Sequence, residues 1–318
     1  MSAPQHRTEL TRLDFELLRA LVRFGYMRPD AAVGYLGAST YGVRKSWRRL
    51  HAVGAVRADP VPLDLVAADG AMRATTATAW TATSRGAGLL GPHHVPGTEL
   101  RVTLGPPRPS PAMARHTVGV AHLAAWYRRS GFEVTSERDI LSLERPTKIG
   151  ERRVQVVTSW TVSIPGKLGV HPPDLGAVDA IGGQWAVELE RKTGTVNDYA
   201  DIVGAYQAAG LGQIWHVLSQ KSAKRLVAAA SRRGIQWGPP PARGVFASTD
   251  GLVRLQGWLP GRLLAGPETW KVERNFPTTA PAGLPLPSQP ARLDTWRQGT
   301  VVDPEAGLWE PVEMWDAA

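Results

Sequence analysis

Hydrophobic positions recur along this chain with two periods, and the changes from one to the other predict its elements. In the N-terminal stretch Leu13, Phe15, Leu17, Leu18, Leu21 and Val22 fall at helical spacing. Pro29 suits the first turn of a second helix ending near Gly37, and Ser39 suits the cap of a third. Along Thr40–Gly54, Val43, Trp47 and Leu50 share one face at i, i+4 and i+7. The opposite face carries Tyr41, Arg44, Lys45 and Arg48, with Arg49 beside them. Gly54 ends this helix, after which residues 56–59 and 78–83 are expected to pair as two strands. Residues 60–77 are expected to form their tip, and residues 84–90 a short helix.

A Pro/Gly-rich run, 91–111, reads as a linker, and its adjacent His93 and His94 read as solvated side chains. A mostly apolar helix over about 112–130 follows, then a strand ending in Ser136-Glu137. His116 and His122 lie six residues apart on that helix, which turns them away from each other and makes them poor joint ligands. In Trp185–Lys192 the period falls to two. Trp185, Val187 and Leu189 point one way; Glu188, Glu190 and Lys192 point the other. Residues 179–184 contain Gly182-Gly183 and read as a hairpin connection that folds the Asp174 strand beside the Glu190 strand. A helix over 197–207 carrying Tyr206 and Gln207, a buried strand over 213–218, and a basic helix over 222–233 complete an α/β layered pattern. The expected fold class is α/β, an α+β multidomain chain. Its parts are a winged helix-turn-helix at 8–90, the linker 91–111, an α/β core at 112–258, and a Pro/Trp-rich extension at 259–318.

Length and charge narrow the chemistry. A chain of 318 residues, 43% hydrophobic, can bury two cores. A net charge of +9 favours an anionic partner. Because 30 of the 37 basic residues are Arg amid abundant Ala, Gly and Pro, part of this basicity follows from composition, so clustering must decide. Tyr41, Arg44, Lys45, Arg48 and Arg49 supply such a cluster on the third helix, where a recognition helix places its groove-facing side chains on double-stranded DNA. A solvated basic face is the alternative. The absence of cysteine excludes disulfide scaffolds, Cys-based zinc sites and thiol catalysis. With no apolar run long enough to span a bilayer and no apolar signal core at its start, the chain is expected in the cytoplasm without a membrane partner.

The acids point to a hard cation. Hydrolysis of a phosphodiester near neutral pH needs Mg²⁺ or Mn²⁺, held by one or two carboxylates that leave waters in place. Asp174 and Glu190 are the expected pair. Glu188, on the same face as Glu190, shares the candidacy, and Lys192 would orient the attacking water. Pro173-Asp174, Glu190 and Lys192 resemble the PD-(D/E)XK nuclease superfamily. The order around them resembles the replication-relaxation family of plasmid and mobile-element proteins. In both, a winged helix precedes a helix with an early His (Arg115-His116-Thr117), a strand ending in Ser136-Glu137-Arg138, the Pro-Asp strand, and Glu188-Leu189-Glu190-Arg191-Lys192-Thr193. The resemblance spans roughly residues 8–235. It departs at Glu190, where the family tends to have Asp, and at Lys192, where it has a small residue. It implies a restriction-endonuclease-like core acting on DNA in replication or transfer, alongside other replication or transfer proteins. Glu137 would be an outer metal carboxylate or an ordinary ion-pair partner. A non-catalytic DNA-binding regulator, or accessory of a transfer complex, on a nuclease-like scaffold is the alternative. The number of subunits is left open, a homodimer included.

Overall fold

The fold is described from a computed structural model at residues 9–66, 72–95, 101–145, 147–149, 152–158, 160–166, 169–191, 194–217, 220–237, 246–257, 298–303 and 308–313. Lys192 and most of the C-terminal extension lie outside these residues. The chain divides into two compact units. The first runs to His93 and adds Thr103–Arg129; the second comprises His94–Val102 and everything from Ser130 on.

The first unit opens with three helices, α1 (Arg12–Phe24), α2 (Pro29–Leu36) and α3 (Thr40–Ala52). Ser39 caps α3 by accepting from the Gly42 amide at 3.1 Å. Leu17, Leu18 and Leu21 of α1 meet burial with Val43, Trp47 and Leu50 of α3, each such side chain contributing about 1.5–3 kcal/mol. Asp14 is buried among them. Arg49 grips it with Nε and Nη2, both at 2.9 Å, and Ser46 and Thr11 also donate to it. Burial alone would raise the Asp14 pKa, but these donors hold it below the usual carboxylate value.

The hairpin that follows is longer than its sequence predicts. Strands β1 (Val56–Val66) and β2 (Met72–Ala82) pair throughout, so most of the expected tip is ladder. Pro60 and Pro62 lie within β1, and the register accommodates them. Trp80 turns its N–H and C=O outward to Met27, which makes Ala58↔Trp80 a pair without ladder bonds. Two and four residues on, Pro60 and Pro62 share that phase, where no inward N–H is required. Trp80 also stacks on Trp47 of α3, ring centroids 5.6 Å apart.

Helix α4 (Ser84–Gly88) lies so close to Ala55 that a Cβ on Gly86 would fall 2.0 Å from the Ala55 carbonyl oxygen. Helix α5 (Ala114–Arg129), expected to open the second domain, belongs to the first unit. Ala114 and Val118 pack with Tyr26, Val61, Leu63 and Ala79. His122 sits 3.3 Å from Asp30 of α2, and Arg128 lies over the Tyr35 ring at 4.6 Å.

The short pair β3 (His93–His94) and β4 (Arg101–Val102) begins at the last residue of the first unit's opening segment, so the expected linker carries some structure, including a hydrogen bond from Arg101 to His94. Next come β5 (Glu133–Ser136), α6 (Glu137–Leu143), β6 (Thr147–Ile149), β7 (Arg152–Val157), β8 (Val162–Ser163), β9 (Val170–His171), β10 (Leu175–Val178) and β11 (Gln184–Glu190). Helix α7 (Val196–Ala208), β12 (Gly212–Val217), α8 (Gln220–Arg232), β13 (Phe246–Ala247) and β14 (Val253–Gly257) follow. The main sheet has the order β13-β14-β12-β11-β10-β5, parallel across β11, β12 and β14 and antiparallel elsewhere. Strands β11 and β12 are buried almost throughout, as parallel strands covered by helices require. Tyr199 and Val203 of α7 and Leu226 of α8 pack with Trp215, Val217 and Leu255, while Tyr206 of α7 clusters with Ala186, Trp160 and Ile140.

Three arginines on or just after α8 are engaged inside this layer. Arg225 donates to the Gly194 carbonyl, Arg232 to Asn197, and Arg233 to Ala200 and Asp201, each at 2.8 Å. From the C-terminal extension, expected to be an extended tail, β15 (Gln298–Asp303) and β16 (Leu308–Glu313) pair with each other, and β15 adds to β7. The mixed α/β class is therefore observed, and among the described residues no helix is long and apolar enough to cross a membrane.

Candidate active site

The turn between β10 and β11 sets the register on which the site depends. Asp179 is buried there and accepts from the amides of Ile181 (3.1 Å) and Gly183 (2.7 Å) and from the Trp185 indole (2.9 Å). Gly182 takes φ +87°, as the sequence expected of this pair of glycines. The turn fixes Leu175 opposite Val187, while β5 places Ser136 opposite Leu175 on the other side. Continued by one position, the β10–β11 register sets Asp174 opposite Glu188, while Glu137, at the start of α6, follows Ser136 and its charge acts on His171 and Tyr206.

Asp174 leans onto β11, its Oδ2 accepting from the Leu189 amide at 2.8 Å. Glu188 is 8% exposed. Burial first, and then the charge of Asp174, push its pKa from 4.5 to about 7, against the pull of two donors. Those donors are the Tyr206 hydroxyl, 2.6 Å from Oε1, and Nε2 of His171, 3.1 Å from the same oxygen. Burial would lower the His171 pKa, but Glu188, Asp174 and Glu137 together raise it, so the imidazole is biased toward carrying its proton. Tyr206 is pushed well above its ordinary value by burial and by Glu188, and acts as a neutral donor.

Glu188 and Glu190, the two candidates that the sequence left on this face, act on different neighbours. The charge of Asp174 acts on Glu188, whereas Glu190, two residues on, acts on Tyr199, whose pKa rises to about 12 through burial with Glu190 contributing. Both acids do share the predicted face, but only Glu188 lies level with Asp174 in the β10 register. Lys192 lies outside the described residues, and with it the expected contact between Lys192 and the acids. The nearby Gly194 is held at both backbone groups, its N–H by the Tyr199 hydroxyl and its C=O by Arg225, each at 2.8 Å.

His171 and Tyr206 are the site residues that sequence reasoning undervalued. His171 stands three residues before Asp174 on a two-residue strand too short to give a period. Tyr206 sits on α7 at a position that packing explains as well. Oxygen donors and mutually repelling carboxylates suit a hard divalent cation, and Asp174 and Glu188 are the two that would hold it, with Glu137 adjoining. Among the described residues no three His, Asp or Glu side chains converge into a ready-made metal group.

In the first unit, Tyr41 (74% exposed), Arg44, Lys45 and Arg48 project from α3 as expected. Arg49 does not join them. The helix turns it toward α1, where it is bound to Asp14. Comparison with protein-family models, with curated proteins and with solved structures gives no match.

Proposed function

We propose that the chain is a metal-dependent DNA endonuclease with a PD-(D/E)XK-like core, and that its N-terminal unit is a winged helix that docks on double-stranded DNA. The observation that carries this reading is Asp174 set opposite the buried Glu188, with the charge of Glu137 acting on both donors to Glu188. Crowding two carboxylates, one of them buried, costs folding energy, and such groups persist chiefly where chemistry needs them. Asp174 and Glu188 would hold Mg²⁺ or Mn²⁺. When bound, the cation supplies a polarised phosphoryl oxygen and a water of lowered pKa. The protein's own part is to fix Glu188 through Tyr206 and His171, to keep a proton on His171 Nε2 where it faces Glu188, and to pack α7 behind the carboxylate so that bulk water is excluded from that side. On α3, Arg44, Lys45 and Arg48 would contact phosphates and Tyr41 would meet the groove. The resemblance noted above suits nicking in plasmid or mobile-element replication or transfer.

The engagement of Glu188 Oε1 by two protein donors favours one rival, a DNA-binding regulator whose acids are structural. Supercoiled plasmid with MgCl₂ separates the two. The endonuclease converts it to nicked or linear DNA, and Asp174→Ala does not. No conversion by the wild type, or equal conversion by both proteins, overturns the proposal.

A further inference from the structure

We propose that His171 and Tyr206 are positioning residues that hold Glu188 by Oε1 alone, so that the carboxylate meets a divalent cation through Oε2 only and the site is biased toward small octahedral ions over Ca²⁺. This rests on the reading of Asp174 and Glu188 as a cation site. Both donors converge on one atom, the Tyr206 hydroxyl at 2.6 Å and His171 Nε2 at 3.1 Å. A carboxylate oxygen offers two lone-pair directions, and both of those on Oε1 are taken.

Neither donor can follow the carboxylate if it turns. Tyr206 is fully buried, projects from the 13-residue helix α7, and packs with Trp160, Ala186 and Leu211. His171 is placed by the pairing of Val162 with His171, and its ring lies against Tyr206 with centroids 5.8 Å apart. Turning Glu188 to present both oxygens to one ion would break two hydrogen bonds at a buried carboxylate, where bonds to a charged acceptor are the strong ones.

That constraint falls unequally on different ions. Ca²⁺ gathers about six to eight oxygens and commonly takes a carboxylate with both of them, whereas Mg²⁺ demands near-ideal octahedral geometry with single-oxygen ligands and waters. Mn²⁺ likewise suits carboxylate and water ligands in octahedral array. A carboxylate restricted to Oε2 serves the octahedral ions without loss and denies Ca²⁺ one of its bonds.

Calorimetric titration of MnCl₂ and of CaCl₂ into the full chain tests the idea without any cleavage. Relative to wild type, Tyr206→Phe and His171→Ala each shift the ratio of Ca²⁺ to Mn²⁺ affinity toward Ca²⁺ by about tenfold, in line with loss of one such bond. Circular dichroism checks that each variant is folded. Should Tyr206→Phe unfold the buried cluster, His171→Ala decides, because its ring is 30% exposed on a short strand. If binding is lost in Asp174→Ala yet the ratio is unchanged in the folded variants, the positioning role is overturned while the cation site stands. If the wild type binds neither ion, or binds both as Asp174→Ala does, the site and the positioning role fall together.

Discussion

Glu188 is buried beside another carboxylate, and its ionisation is opposed on both counts. In the unfolded chain it loses its proton near 4.5; in the fold it keeps it up to about 7. The cost of ionising it is therefore absent below the first value and complete above the second. Glu188→Gln should accordingly raise the melting temperature of the metal-free protein at pH 8 by a few degrees, about the effect of 1 kcal/mol, and change it little at pH 4.5. A lower melting temperature at pH 8 would mean that the carboxylate is there for stability.

Asp14 behaves in the opposite sense. Its pKa is depressed, so the stability it lends is present above its unfolded value of 3.8 and is lost as pH falls through the folded value below that. Breaking its pair should be costly. Arg49→Ala is expected to destabilise the N-terminal unit by about 2–3 kcal/mol in urea unfolding, against about 0.5 kcal/mol or less for exposed Arg48→Ala. Similar losses for the two would remove Arg49 from its structural role. Helical period alone assigned Arg49 to the basic face and left Asp14 unremarked, because the pattern of apolar residues carries no signal for a buried ion pair.

At the level of elements, legibility depended on whether one chain segment was enough. Strand β11 and the buried face of α3 follow from their own periods, and the glycine turn from its own residues. The length of the β1–β2 hairpin did not, since Pro60 and Pro62 are permissible only in a register fixed by Trp80 bonding to Met27. The choice of Glu188 over Glu190 also escaped the period, which gives both the same face; pairing with β10 breaks the tie. Helix α5 was read with the wrong neighbours because its apolar body fits either unit, and the contacts of His122 and Arg128 with α2 are tertiary. Two close approaches can be tested by thermal unfolding. Gly86→Ala would drive a methyl into the Ala55 carbonyl and should destabilise by about 1–3 kcal/mol or more. Asp179→Ala, which strands the Trp185 indole and two amides, should cost about 2–4 kcal/mol.

Over the whole chain, a charge of +9 says less than where the cations are engaged. Arg225, Arg232 and Arg233 are occupied with the segment before α7 and with α7 itself, and Arg49 with α1, while Arg44, Lys45 and Arg48 project from α3. If those three meet phosphates, replacing any one by Ala should flatten the plot of log affinity against log salt by about 0.9, measured by fluorescence anisotropy with duplex DNA. Arg232→Ala should leave the slope unchanged. The mixed α/β class could be read from the residues, but the approach of Asp174 to Glu188 could not, because it is made by the pairing of separate segments.

The most direct measurement sets two neighbouring acids against each other in Mg²⁺-dependent plasmid nicking. Glu188→Gln should abolish cleavage, and Glu190→Gln should stay within about threefold of wild type, a difference of well under 1.4 kcal/mol in the barrier. Loss of cleavage in Glu190→Gln with Glu188→Gln fully active would contradict the assignment of Asp174 and Glu188 as the catalytic pair.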